Sequence, residues 1–165
     1  MILKLTLDRP EDHEHVRMTR LLSRTLLDEL RVVDEDKNDI EIIVSELCTN
    51  VVRHAHSSDG RYQLVIEYHR DKAIITVEDQ GTGFVPGTGP GPGTQRPDDL
   101  TGGTRIGGFG VPLLNALSDR IEFEPTEPQG TKVQAEKALH YETQKARARA
   151  KKMDSMEEDG QHGWR

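Results

Sequence analysis

The residues best placed to do chemistry in this 165-residue chain lie in four short stretches. In "SELCTNVVRHAH", residues 45–56, Glu46, Asn50 and His54 recur every four residues, a spacing that puts them in one row on a helix. In "VEDQGTGF", Asp79 closes a β-rich run, and Gly81 and Gly83 bracket one residue. An aspartate at a strand end is a fixed hydrogen-bond acceptor, and glycines at that spacing let a backbone approach a ligand closely. "GGFGV", residues 107–111, opens an apolar helical run, where unpaired N–H groups and the helix dipole suit a phosphate. Gly130-Thr131 starts the last β-rich run. Each stretch alone also has an ordinary explanation, as a wet helix border, a β-turn, a loop end or a turn.

The elements that must position these residues can be read from hydrophobic periodicity. "ILKLTL", residues 2–7, alternates as a strand does, and "DRPED" carries the acids and proline of a helix start. From about 11 to 31, Met18, Leu22, Leu26 and Leu30 keep helical spacing and predict the core face, with Arg17, Arg20, Arg24 and Arg31 opposite. A second helix is expected from about 36 to 56, its stripe formed by Ile40, Ile43, Val44, Leu47 and Val51; the Glu46 row lies beside that stripe, where a pocket wall could stand. "YQLVIEYH" and "KAIITVED" predict an antiparallel hairpin turning at Arg70-Asp71. Residues 85–107 are crowded with glycine and proline and predict a long mobile loop. A short helix ("GFGVPLLNALSD"), a strand ("RIEFEP") and a final strand ("GTKVQAEK") follow, and from Ala138 the polar tail predicts a fraying helix and a disordered end. This order argues for an α+β domain rather than a doubly wound one.

Composition narrows the function. With 33% hydrophobic and 31% charged residues and a net charge of −7, the chain reads as a soluble single domain with a tail. It lacks the basic field that a general nucleic-acid or anionic-membrane binder needs. No apolar run approaches the roughly 20 residues of a membrane span, and the N-terminal stretch is too short for a signal peptide, so a cytoplasmic location is expected. The single cysteine, Cys48, excludes an internal disulfide and a cysteine-cluster metal site, and reads as a small helix residue.

The joint order is demanding: Glu-x-x-x-Asn on a helix, Asp-x-Gly-x-Gly after a strand, a long glycine-rich loop ending in Gly-x-Gly at a helix start, then Gly-Thr before a strand. Here the chain resembles the GHKL ATPases and their Bergerat nucleotide-binding fold. "SELCTNVVRHAH" and "GGFGVPLLNALSDRIEF" most resemble the RsbW/SpoIIAB-like anti-sigma-factor serine/threonine kinases. The resemblance implies a two-layer α/β sandwich, its mixed, mostly antiparallel sheet covered on one face by helices, over residues 1–137, with a lid at about 85–107 and a tail over 138–165.

That resemblance implies ATP and Mg²⁺ as cofactors. By it Asn50 supplies an amide oxygen to Mg²⁺, and Glu46 is the general base toward a partner's serine. Asp79 accepts a hydrogen bond from the adenine amino group, Gly81 and Gly83 pass near the base, and Thr131 lies near the adenine pocket. Gly108, Phe109, Gly110 and Val111 cradle phosphates, Arg105 can approach the terminal phosphate, and Arg53 and His54 face the nucleotide. The implied partners are a sigma factor and a STAS-domain anti-anti-sigma protein, whose serine is phosphorylated, with a homodimer as the assembly and Arg17, Arg20 and Arg24 as partner-binding candidates. A non-catalytic ATP-gated anti-sigma module is the alternative reading. The detached catalytic domain of a histidine kinase fits less well.

Overall fold

A computed structural model describes residues 1–55, 57–81 and 110–143, and only the backbone of Gly110 and Val111. The elements are β1 (Leu3–Pro10), α1 (His13–Glu29), α2 (Asp34–His54), β2 (Arg61–Tyr68), β3 (Lys72–Asp79), α3 (Gly110–Leu117), β4 (Arg120–Pro125) and β5 (Thr131–Ala138). Five strands form one sheet in the order β1-β2-β3-β5-β4. Every pairing among them is antiparallel, which corrects the expected mixed sheet. The cause is the last hairpin: β5 inserts between β3 and β4 and runs against both.

Strand alternation separates a core face from a polar one. Leu64, Ile66 and Tyr68 of β2 and Ala73, Ile75 and Val77 of β3 are buried together with Ile40, Ile43, Val44, Leu47 and Val51 of α2, as the helical stripe predicts. On the opposite face the alternate residues carry ion pairs, Lys4 with Glu67 at 2.7 Å, Lys72 with Glu136 at 2.8 Å and Lys132 with Glu124 at 3.0 Å. The sheet therefore has one covered and one polar surface, as in a two-layer α+β sandwich.

Helix α1 departs from its predicted face. Asp12 caps it by accepting from the Glu14 N–H at 2.9 Å, but its buried residues are Val16, Thr19, Ser23 and Leu27. Leu26 and Leu30 are half-buried against the core, whereas Met18 and Leu21 are each 54% exposed and Leu22 36%. The reason is hydroxyl satisfaction. Thr19 donates to the His15 carbonyl at 2.8 Å, and Ser23 shares a hydrogen bond with the Tyr68 hydroxyl at 2.9 Å, so two small polar residues are buried without an unpaired group. An apolar count cannot see that.

The chain after β5 also departs from expectation. Over 139–143 it is extended rather than helical. Leu139 is buried, the His140 carbonyl accepts from the Val33 N–H at 2.9 Å, Tyr141 bridges Val32, and the Glu142 N–H donates to the Arg31 carbonyl at 2.9 Å. Alternation of Leu139 and Tyr141 outweighs the helix-friendly composition, and packing continues past residue 137. The remaining tail and the expected loop at 85–107 lie outside the described residues.

Candidate functional site

The C-terminal end of α2 packs against the chain leaving β3, beside the start of β5. Asp79 is only 5% exposed and Thr131 4%, and the two are direct partners in the β3–β5 register. The Asp79 carboxylate accepts the Gly81 N–H at 2.8 Å. Burial pushes its pKa above the ordinary 3.8, while the Gly81 and Thr131 N–H groups pull it down and Glu11 and Glu78 push it further up. The outcome is a fixed, strongly desolvated acceptor at a strand end.

Two glycines make this geometry possible. A Cβ on Gly81 would overlap the Ala55 carbonyl at the end of α2. Only a glycine lets β3 emerge so close to that helix, and the contact holds Asp79 beside it. Gly130 has φ +129°, and a Cβ there would overlap the Asp79 carbonyl. The Gly-Thr signal of the sequence thus marks a backbone conformation closed to other residues.

On α2 itself, Glu46 and Asn50 are half-buried, and Arg53 and His54 are exposed. Neither Glu46 nor Asn50 has a hydrogen bond or ion pair among the described residues, although both border a packed core. Glu46 also lines a hollow of about 130 Å³ between the helices, together with Arg20, Glu41, Ile42 and Ser45. Helix α1 thereby brings an arginine to the edge of the Glu46 row. Glu41, Ile42 and Ser45 were not singled out from sequence; of the three only Ile42, at i−4, stands one helical turn from Glu46, where spacing gives a signal.

The three arginines proposed for partner binding differ sharply. Arg17 and Arg20 are exposed and have no ion pair among the described residues. Arg24 is engaged inside the fold: it donates to Asn38 at 2.8 Å and Glu41 at 3.1 Å, and it pairs with Asp34 at 3.5 Å and Asp28 at 3.7 Å. Cys48 is fully buried and burial pushes its thiol up to about 11, which makes it a packing residue as expected.

Gly83, Arg105, Gly108 and Phe109 lie outside the described residues. Gly110 and Val111 form the first turn of α3, whose Leu114 is fully buried and anchors the helix. The donor set suits a magnesium nucleotide. The described residues contain no cluster of three or more His, Cys, Asp or Glu able to hold a metal alone, but the unengaged Asn50 amide can complete a cation held mainly by phosphates and water. Asp79 is a buried acceptor of the kind that reads a base amino group.

Residues 9–137 match the family model of the histidine kinase-like ATPase domain. The serine-protein kinase RsbW of Halalkalibacterium halodurans is 34% identical over 120 residues, covering 70% of this chain and 72% of that protein. The serine-protein kinase RsbW of Listeria innocua is 32% identical over 127 residues, covering 73% and 78%. Among solved structures, the RsbU and RsbW domains of a Mycobacterium tuberculosis protein superpose with a TM-score of 0.61 at 17% identity, over 86% of this chain and 35% of that one. At that identity the structural match supports the fold.

Proposed function

Because the chain belongs to the histidine kinase-like ATPase domain family, and within it to the RsbW serine-protein kinases, we propose that it is an ATP-dependent protein serine kinase acting as an anti-sigma factor in a partner-switching module. The observation that carries this reading is one helix edge: Glu46 and Asn50, one turn apart and unengaged among the described residues, on the helix that Gly81 holds against buried Asp79.

Bound ATP·Mg²⁺ would supply the transferable phosphoryl group. Asn50 offers its amide oxygen to the cation. Asp79 accepts from the adenine amino group and selects adenine, with Gly81, Gly83 and Thr131 around the base. Gly108, Phe109, Gly110 and Val111 offer backbone N–H groups to phosphates, Arg105 a cation to the terminal one, and Arg53 and His54 flank the nucleotide. Glu46 orients the partner's serine hydroxyl and takes its proton, in a transfer that rests on positioning and charge neutralisation.

The phosphorylated partner is a STAS-domain anti-anti-sigma protein and the sequestered one a sigma factor. Arg17 and Arg20, exposed and without an ion pair among the described residues, offer charge for such partners. Met18, Leu21 and Leu22 form an exposed apolar strip at helical spacing, which supports the homodimer. No helix among the described residues is long and apolar enough to cross a membrane, and we place the protein in the cytoplasm.

Incubation with γ-labelled ATP, Mg²⁺ and a STAS-domain antagonist tests the proposal. Label on a serine of the antagonist is expected, and its loss in Glu46→Gln. ATP binding without transferred label would overturn the kinase and leave the ATP-gated binding module.

A further inference from the structure

The hollow between α1 and α2 contains two acids and one base, Glu41, Glu46 and Arg20, yet Arg20 has no ion pair among the described residues. Glu41 is the natural competitor for it. It lines the same hollow on the same helix as Glu46, and a cross-helix Arg–Glu pair there would be unremarkable. The structure shows it turned to a different cation: Arg24, one turn beyond Arg20 on α1, donates to Glu41 at 3.1 Å. Arg24 is itself held in place by Asn38 at 2.8 Å, Asp34 at 3.5 Å and Asp28 at 3.7 Å, so its guanidinium has little freedom to follow Glu41 elsewhere.

We propose that Arg24 is a positioning residue for protein-substrate recognition: it holds the Glu41 carboxylate away from Arg20, so that Arg20 meets a carboxylate brought by the partner beside the hydroxyl presented to Glu46. The substrate class that fits is a serine segment with an acidic side chain next to the acceptor. Exposed Ile42 gives that segment an apolar edge to rest on. The recognition step rests on the kinase reading above, but the state of Arg20 does not.

Removing the Arg24 charge without removing its bulk frees Glu41, and Arg20, which lines the same hollow, is the cation open to it, since Lys37, one turn before Glu41 on α2, is already held by Asp28 and Asp34. A carboxylate in contact with a guanidinium shields it both from a carbonyl reagent and from a second carboxylate. Mutating Glu41 as well removes the shield, whatever has happened to the helix contact. A purely structural role for Arg24 predicts the reverse, since the double variant has lost more of the helix–helix contact than the single one.

The test is the rate at which phenylglyoxal modifies Arg20 in the full chain at low salt, read by mass spectrometry of the Arg20 peptide, with circular dichroism confirming the fold. In Arg24→Gln the rate should fall about threefold or more, and in Arg24→Gln with Glu41→Gln it should return to the wild-type value; at high salt the difference should shrink. Glu41→Gln alone, which leaves Arg24 intact, should change the rate by less than about twofold, consistent with a charge already neutralised. A severalfold acceleration in Glu41→Gln alone, or a double variant no faster than Arg24→Gln, overturns the proposal. In the labelling assay Arg24→Gln should raise KM for the STAS substrate with kcat and ATP affinity unchanged, and the double variant should restore KM. If no substrate is labelled by the wild type, the kinase reading fails while the Arg20 rates still decide the role of Arg24.

Discussion

The two ends of α2 solve opposite problems. At its N-terminal end nearly every polar group is engaged: Lys37, 6% exposed, pairs with Asp28 at 2.8 Å and Asp34 at 3.1 Å, Arg24 ties α1 to Glu41, and Asp36 accepts the His140 N–H at 2.5 Å. At its C-terminal end Glu46 and Asn50 stand half-buried and unengaged among the described residues, while Asp79 nearby is desolvated enough to raise its pKa. Burial of unpaired polar groups costs stability, so half-buried groups left unengaged along one stretch of a helix are candidates for ligand contact. The engaged end fixes where the helices lie. The unengaged end uses that fixed frame.

Breaking the unengaged end should destroy function and spare the fold. Glu46→Gln has the largest expected effect: phosphoryl transfer falls by about 10²–10⁴, the usual contribution of a general base, with ATP affinity and thermal midpoint nearly unchanged. Asp79→Asn should weaken ATP binding by about tenfold to a hundredfold, the worth of a hydrogen bond to a buried charge, measured by calorimetry. Its stability effect has the opposite sign. Because burial raises the Asp79 pKa above 3.8, the folded chain holds that proton more tightly than the unfolded one. Ionised Asp79 therefore detracts from stability above its folded pKa, and the deficit fades as pH falls through it toward 3.8. The apo thermal midpoint of Asp79→Asn at pH 7 should thus equal or exceed that of the wild type; a clear drop would show Asp79 to be a structural acceptor. Gly81→Ala joins the two classes, since its Cβ meets the Ala55 backbone: a loss of about 1–3 kcal/mol in urea unfolding is expected, together with weaker ATP binding.

How far the sequence could be read follows the same division. The α2 stripe and the β2–β3 hairpin were legible because they rest on local periods, whereas the place of Thr131 beside Asp79 came from the resemblance, Gly130-Thr131 alone signalling only a turn. The α1 face was not, since Thr19 and Ser23 are buried through hydrogen bonds to His15 and Tyr68 that no hydropathy pattern records. The strap at 139–143 was missed for a related reason: its partners, Arg31, Val33 and Asp36, lie over a hundred residues earlier in the chain. Arg17, Arg20 and Arg24 looked equivalent on a helical projection. What separates them is which carboxylates α2 supplies opposite each, and a single-helix argument has no access to that. Roles for Glu46 and Asn50 came from resemblance, because spacing alone placed them only beside the core.

The smallest expected effect sharpens the comparison from the engaged end. Asp28 is half-exposed, and its hydrogen bond to Lys37, with added attraction from Lys37 and Arg24, holds its pKa below 3.8 against a modest burial effect. A depressed carboxylate pKa stabilises the fold above the unfolded value and loses that contribution as pH falls through the folded one. Asp28→Asn should therefore cost about 0.5 kcal/mol at pH 7, because the ion pair faces solvent and Lys37 keeps Asp34 as a second partner. The difference between variant and wild type should vanish in urea unfolding carried out well below pH 3.8, where Asp28 is protonated in both states. ATP affinity should stay constant throughout, since the pair sits at the opposite end of the helix from Asn50. If Asp28→Asn instead changes ATP affinity by more than about twofold, the engaged end is not merely a frame: α2 would transmit charge changes along its length, and the division between its two halves would have to be redrawn as a coupled element.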